Sequence, residues 1–317
     1  MHQLDNCLAP FLQQQDYLVL DGGLASELEH LGMDLNDPLW SAKVLLEHPE
    51  AIAEVHRTYL QVGADLITTA SYQASYPGLA KRGLDDLAIA KLLQKSVELA
   101  KAVRDEFALE AAAEGRLRPL VAASVGPYGA YLADGSEYTG EYGVNAEELK
   151  RFHRPRLEQL VAAEPDLLAI ETIPLLAEAE VLIELLAAFP RQVAFLSYSC
   201  RDGAHISSGE TFREAVKLAL KSPQIVAVGI NCTAPQWITP LLGQVQEEVN
   251  IPLLVYPNRG EAYDPIAKCW IAGSAGEPLS NQVENWHGLG AKLLGGCCRV
   301  RPDDIRSVRN TLTPIQP

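Results

Sequence analysis

The sequence predicts a single (β/α)8 TIM barrel spanning residues 1–317, and three observations carry that expectation. Eight short apolar runs recur along the chain, each is continuous rather than alternating, and longer helix-period stretches separate them. Continuous apolar runs suit strands buried on both faces, as in a parallel sheet. Strands alternating with helices build βα units, and eight units with no Pro/Gly-rich linker close into one barrel. A chain of 317 residues would otherwise suggest two domains, but α/β barrels routinely run this long as one.

In chain order the runs are YLVLDGG from Tyr17, DLITTAS from Asp65, PLVAASVG from Pro119 and DLLAIET from Asp166. VAFLSYS from Val193, IVAVGINC from Ile225, PLLVYPN from Pro252 and KLLGGCC from Lys292 complete the eight. Between them, Leu84 to Ala113, Asn145 to Ala163 and Leu175 to Phe189 carry helical periodicity, and a last helix follows Pro302. Asn145 is an N-cap candidate, and the acids of NAEE complement the helix dipole. The rival fold is an open doubly wound sheet. It expects a G-x-G-x-x-G turn after the first strand, and DGGLASE lacks that spacing. No internal repeat or low-complexity tract is present.

Composition narrows the class. The net charge of −15 argues against nucleic acid or an anionic membrane as partner, since both need a basic face. It leaves cationic small molecules open, and it also serves solubility. No apolar stretch reaches the about 18 residues of a membrane span. Met1 to Gln15 shows no basic region followed by an apolar run, so no secretory signal is expected. Six cysteines are too few for a disulfide framework in this length, which points to a reducing, cytoplasmic setting.

Two connections are too long for simple turns: Pro127 to Gly143, PYGAYLADGSEYTGEYG, and Pro257 to Leu279. Both follow the C-terminal end of a strand, where barrel enzymes place their sites. The strand ends themselves carry the chemistry. The sixth ends in Asn231 and Cys232, and the eighth in Gly295, Gly296, Cys297 and Cys298. Strands two apart around a barrel can converge across its mouth, so three thiols could meet. Three protein ligands and an open position make a catalytic zinc pattern, and soft thiolates select zinc over magnesium or calcium. Gly295 and Gly296 would let the backbone turn tightly. Two other readings stay open: buried cysteines that only fill space, or a strained vicinal disulfide. Cys7, Cys200 and Cys269 read as ordinary residues.

Three thiolates already donate much charge to a zinc ion. That makes it a poor activator of water but a good holder of an incoming thiolate, which suggests sulfur alkylation more than hydrolysis. Asp21 ends the first strand, Thr68, Thr69 and Ser71 the second, and Glu171 the fourth. Carboxylates there could hold the ammonium of an amino acid. The alternative for Asp21 is a turn or cap residue.

At these residues the chain resembles the homocysteine S-methyltransferases, through LDGGLASELE, ITTASYQAS, SVGPYGAYLADGSEYTGEY, FHRPR, LLAIET, VGINC, VYPN-x-GE-x-YD and LLGGCC. The SVGPYGAYLADGSEY segment looks most like the branch that uses S-methylmethionine or S-adenosylmethionine as donor. The resemblance implies that Cys232, Cys297 and Cys298 bind Zn2+. It also implies that Asp21 and Glu171 line a homocysteine pocket with Gly22, Thr69 and Ser124 nearby, and that Asn231 supports the metal or its loop. The implied reaction is direct transfer of a sulfonium methyl group to homocysteine, giving methionine, with no obligatory protein partner. Tyr128, Tyr131, Tyr138 and Tyr142 could form an aromatic surface for the donor, and Asp134, Glu137 and Glu141 could hold its amino group; the alternative is a loop that packs on itself. Arg259 stands where the family usually has a small residue, so it either adds positive charge near the donor or points to solvent. A betaine- or corrinoid-linked methyltransferase would share the zinc site. A zinc barrel hydrolase or lyase would want histidine ligands, and none of the seven histidines lies at an expected strand end. A non-enzymatic zinc or thiol sensor is the third rival, and two long loops at a deep mouth argue against it.

Overall fold

Strands form within all eight apolar runs: β1 (Leu18–Val19), β2 (Leu66–Thr68), β3 (Leu120–Val125), β4 (Leu167–Ile173), β5 (Ala194–Tyr198), β6 (Ile225–Asn231), β7 (Leu253–Tyr256) and β8 (Ala291–Leu294). The computed structural model describes residues 6–35, 41–260, 263–264, 269–270 and 276–313. Every neighbouring pair is parallel, and one sheet runs from β1 through β8, β7, β6, β5, β4 and β3 to β2. A parallel bridge between Leu20 and Leu66 joins β1 to β2 and closes the barrel. The amide of Asp65 donates to the carbonyl of Val19 at 2.7 Å and that of Asp21 to Leu66 at 3.0 Å, so the seam is hydrogen-bonded like the rest.

Each strand alternates between two cores, because successive side chains leave opposite faces. Leu120 and Ala122 of β3, Leu167 and Ala169 of β4, and Leu254 and Tyr256 of β7 fill the barrel interior. Val121, Ala123, Leu168, Ile170, Leu253 and Val255 pack outward under the helices. The inward parity of β3 and β4 continues to Ser124 and Glu171, so the upper interior turns polar where the apolar layers end.

The predicted helices are present as Asp86–Ala113, Ala146–Ala162, Leu176–Leu186 and Pro302–Leu312. Asn145 caps the second through a reciprocal box: its side chain accepts the Glu148 amide at 3.0 Å, and Glu148 accepts the Asn145 amide at 2.9 Å. Among the further helices, Ala9–Gln15 lies in the N-terminal segment, read from sequence only for a secretory signal. Leu8 and Phe11 enter the interior core beside Leu18, Leu66 and Leu120, an apolar burial that contributes about 3–6 kcal/mol. The seven-residue helix is too short for its periodicity to stand out, and it is stable because the barrel receives it.

The connection after β3 is not structureless, holding a helix at Tyr128–Leu132 and a 3-10 turn at Ser136–Tyr138. The connection after β7 carries a two-stranded antiparallel hairpin, Tyr263–Asp264 with Cys269–Trp270. Glu261 of the GE-x-YD stretch and the Cys269 side chain lie outside the described residues. Among the described residues no helix is long and apolar enough to cross a membrane.

Candidate active site

β6 and β8 flank β7, and their C-terminal ends bring three thiols together. Cys232 Sγ lies 3.1 Å from Cys297 Sγ and 3.5 Å from Cys298 Sγ. The three sulfurs all fall within 4.8 Å of one another, and all three cysteines are free thiols rather than a vicinal disulfide. β7 is the spacer that sets this geometry. Its end binds both neighbours, with Cys232 N donating to Tyr256 O at 3.2 Å, Cys297 N to Pro257 O at 2.8 Å and Arg259 N to Cys298 O at 3.1 Å.

Backbone detail then aims the sulfurs. Cys232 takes φ 48°, a left-handed conformation uncommon for a residue with a side chain, and so breaks the strand alternation at the tip. Gly295 and Gly296 do not have positive φ, so a left-handed conformation is not what calls for glycine there. Their role is close approach: a Cβ on Gly295 would lie 2.6 Å from Leu20 Cβ, and one on Gly296 would lie 2.1 Å from Val300.

The triad suits a soft cation. Thiolates around a tetrahedral ion at about 2.3 Å sit about 3.8 Å apart, within reach of the observed spacing. The thiols cannot all ionise unaided. Hydrogen bonds from Cys297, then Cys298, hold the Cys232 thiol well below the usual range, whereas Cys297 and Cys298, donating to Cys232, are pushed up. A bound cation removes that conflict.

Asn231, fully buried, supports the triad from below. Its side chain accepts the Thr172 amide at 2.8 Å, donates to Thr172 Oγ1 at 2.7 Å and reaches Cys297 Sγ at 4.0 Å. Thr172 sits at φ 61°, a strained setting for a β-branched residue, so this clamp holds the end of β4 against its own preference. Asn231→Ala should therefore weaken metal affinity about 10- to 100-fold while leaving the three ligands in place, measured by competition with a chromophoric chelator.

Beside the thiols lies a carboxylate pocket. Asp21 accepts the Thr68 amide at 2.7 Å and the Thr68 hydroxyl at 3.1 Å. Glu171 accepts from the Ser124 hydroxyl and, at 3.1 Å, from Tyr256 OH, which in turn meets Ser197 Oγ at 2.6 Å. Ser124 is fixed on both sides of its backbone, its amide donating to Thr69 Oγ1 at 3.0 Å and its carbonyl accepting from Ser71 at 2.8 Å. Gly22 packs beside Tyr59 and Val300. Burial pushes Asp21 up to about 8 and Glu171 up to about 7. None of the leading influences on either carboxylate is a lysine or arginine, so the protein leaves two desolvated acids poised for an external cation.

The four loop tyrosines separate. Tyr138 OH lies 3.4 Å from Cys232 Sγ. Tyr128, Tyr131 and Tyr142 instead form a ring cluster, with Tyr128 centred 5.6 Å from each of the other two and 4.9 Å from Phe152. Asp134 accepts the Ser136 amide at 3.0 Å, and Glu141 is exposed. The Arg259 guanidinium turns to Asp304, 3.7 Å away, on the last helix.

Four residues at the site were not anticipated. Tyr256 could have been found, because it has the inward parity of Leu254. Thr172 and Tyr72 could not: one depends on a strained φ, and the other is an internal letter of SYQAS whose hydroxyl meets Thr172. Glu178 is fully buried and ties the loop down, accepting the Tyr128 amide at 2.6 Å, Tyr142 OH at 2.9 Å and His153 Nε2 at 2.8 Å. With Phe152 under the tyrosines and Arg156 on the Gly126 carbonyl, this accounts for FHRPR as a foundation for the loop.

Comparison with known proteins agrees with this geometry. A family model described as homocysteine S-methyltransferase matches residues 18–312. The homocysteine S-methyltransferase of Escherichia coli (strain K12) is 48% identical over 96% of this chain and 98% of its own length. Homocysteine S-methyltransferase YbgG of Bacillus subtilis (strain 168) is 45% identical, covering 96% of both chains. The crystal structure of the metallated form of the homocysteine methyltransferase MmuM from Escherichia coli superposes with a TM-score of 0.86 at 46% identity, over 96% of this chain and 99% of that one.

Proposed function

Given that the chain belongs to the homocysteine S-methyltransferase family, and so is an enzyme that methylates homocysteine, we propose that it uses zinc and a sulfonium donor, S-methylmethionine or else S-adenosylmethionine, to make methionine. The observation that carries the proposal is the three-sulfur cluster beside two buried, cation-seeking carboxylates. Cys232, Cys297 and Cys298 would hold the metal, in keeping with the metallated form of the Escherichia coli relative. Zinc, when bound, supplies the acidity that keeps a substrate thiol ionised at neutral pH. The cluster needs reduced thiols, which suits a cytoplasmic enzyme.

The chain's own residues do the rest. Asp21 and Glu171 pair with the homocysteine ammonium, and Ser124 and Tyr256 hold Glu171 in orientation for it. The homocysteine thiol proton leaves to solvent. The sulfur then forms a bond to the methyl carbon as the carbon–sulfonium bond breaks, and that electron pair stays on the donor sulfur, leaving a neutral thioether and methionine. Alignment of two sulfurs and the carbon between them can lower the barrier by roughly 7–11 kcal/mol.

A donor panel tests the reading. Protein with stoichiometric zinc and homocysteine is given S-methylmethionine, S-adenosylmethionine or betaine, and methionine is followed. Methionine should appear with a sulfonium donor. Turnover with betaine alone would overturn the donor assignment.

A further inference from the structure

We infer that Glu137 is the residue that recognises the positive charge of the methyl donor, an inference that rests on the sulfonium reading above. Of the three acids in the loop after β3, only Glu137 is directed into the mouth. Asp134 is occupied by the Ser136 amide, and Glu141 faces solvent. Glu137 immediately precedes Tyr138, whose hydroxyl sits on Cys232 Sγ, and its charge acts on Tyr72, Tyr138 and Cys298. The carboxylate therefore borders the place where a thiol substrate would meet its donor.

Its own bonding is incomplete. Backbone amides of Glu137 and Gly135 reach the carboxylate, yet Oε2 is buried without a hydrogen-bond partner among the described residues. Leaving a buried acceptor unpaired is costly, and more so for a charged one. Burial pushes the group up to about 7, with Cys232 and Asp134 adding to the effect, and no lysine or arginine is among its leading influences. An organic cation that enters the mouth would relieve all of these at once. Asp21 at the end of β1 and Glu171 on β4 make their own contacts, with Thr68 and with Ser124 and Tyr256, and are assigned to homocysteine, so the two substrates would be sorted by separate acids.

The loop does not depend on the carboxylate for its position. The Glu137 carbonyl accepts from Ser199 Oγ at 3.1 Å, and the flanking segments are held by Glu178 and the tyrosine cluster. Glu137→Gln keeps size and fold and removes only charge.

With zinc loaded and homocysteine saturating, kcat/KM for S-methylmethionine should fall about 10- to 100-fold in Glu137→Gln, the loss expected of one charge-assisted contact. The homocysteine KM and zinc stoichiometry should stay within twofold. Trimethylsulfonium, which has no ammonium group, serves as a competing ligand. Weaker inhibition in the variant assigns the contact to the sulfonium, and equal inhibition assigns it to the ammonium. Unchanged donor kinetics, a rise in homocysteine KM alone, or loss of zinc would overturn the inference. A wild-type enzyme that turns over no sulfonium would instead defeat the donor reading itself.

Discussion

Cys298→Ala is expected to lose metal and activity together. Structural zinc sites draw about 10–16 kcal/mol from their ligands, so losing one of three thiolates removes on the order of 10³ or more in affinity. The fold should survive the change. Cys298 is only half-buried, and its carbonyl, which receives the Arg259 amide, remains. Metal-free wild type and variant should therefore melt together, whereas metal-loaded samples should differ sharply. Zinc stoichiometry by atomic emission, read beside methionine formation, makes the check. A variant that retains full zinc and normal turnover would remove Cys298 from the ligand set.

Asp21→Asn should raise the homocysteine KM about 100-fold and yet stabilise the empty protein at pH 8. Both effects have one cause. The folded-state value of Asp21, about 8, lies above its ordinary 3.8, so its contribution to stability is full below about 4 and is lost as pH rises toward 8. Glu171, raised from 4.5 to about 7, acts in the same direction. Metal-free, substrate-free protein should accordingly melt a few degrees higher at pH 6 than at pH 8, and Asp21→Asn should flatten much of that slope. The amide can keep both Thr68 contacts by accepting the backbone N–H and donating to the hydroxyl. Glu171→Ala should raise the homocysteine KM likewise. Unchanged homocysteine kinetics in both variants would take the pair out of the pocket.

These expectations differ in what they draw on. The barrel was legible because a strand buried on both faces has to be continuously apolar, and eight such runs admit few other solutions. The endings of those runs were legible too. Asp21, Glu171, Asn231, Cys232, Cys297 and Cys298 appear where the apolar pattern stops, and in a parallel barrel that point is the mouth. Alternation alone turns Ser124 and Glu171 inward, and it would have turned Tyr256 inward as well.

What chain order could not contain is decided by contacts between distant segments. The sulfurs converge because β7 sits between β6 and β8, because Cys232 is held in a left-handed conformation, and because Gly295 and Gly296 admit β1 and Val300 at close range. The four loop tyrosines look alike in sequence, yet one meets the thiols while Tyr128 and Tyr131 pack on Phe152 and Tyr142 packs on Tyr128, since Glu178 and His153 from other elements set the path of the loop. Residue type and periodicity determine which groups reach the mouth. Their order around it, and which carboxylate oxygen among the described residues is left without a hydrogen-bond partner, are determined only when the packed backbone excludes water and chooses who stands beside whom.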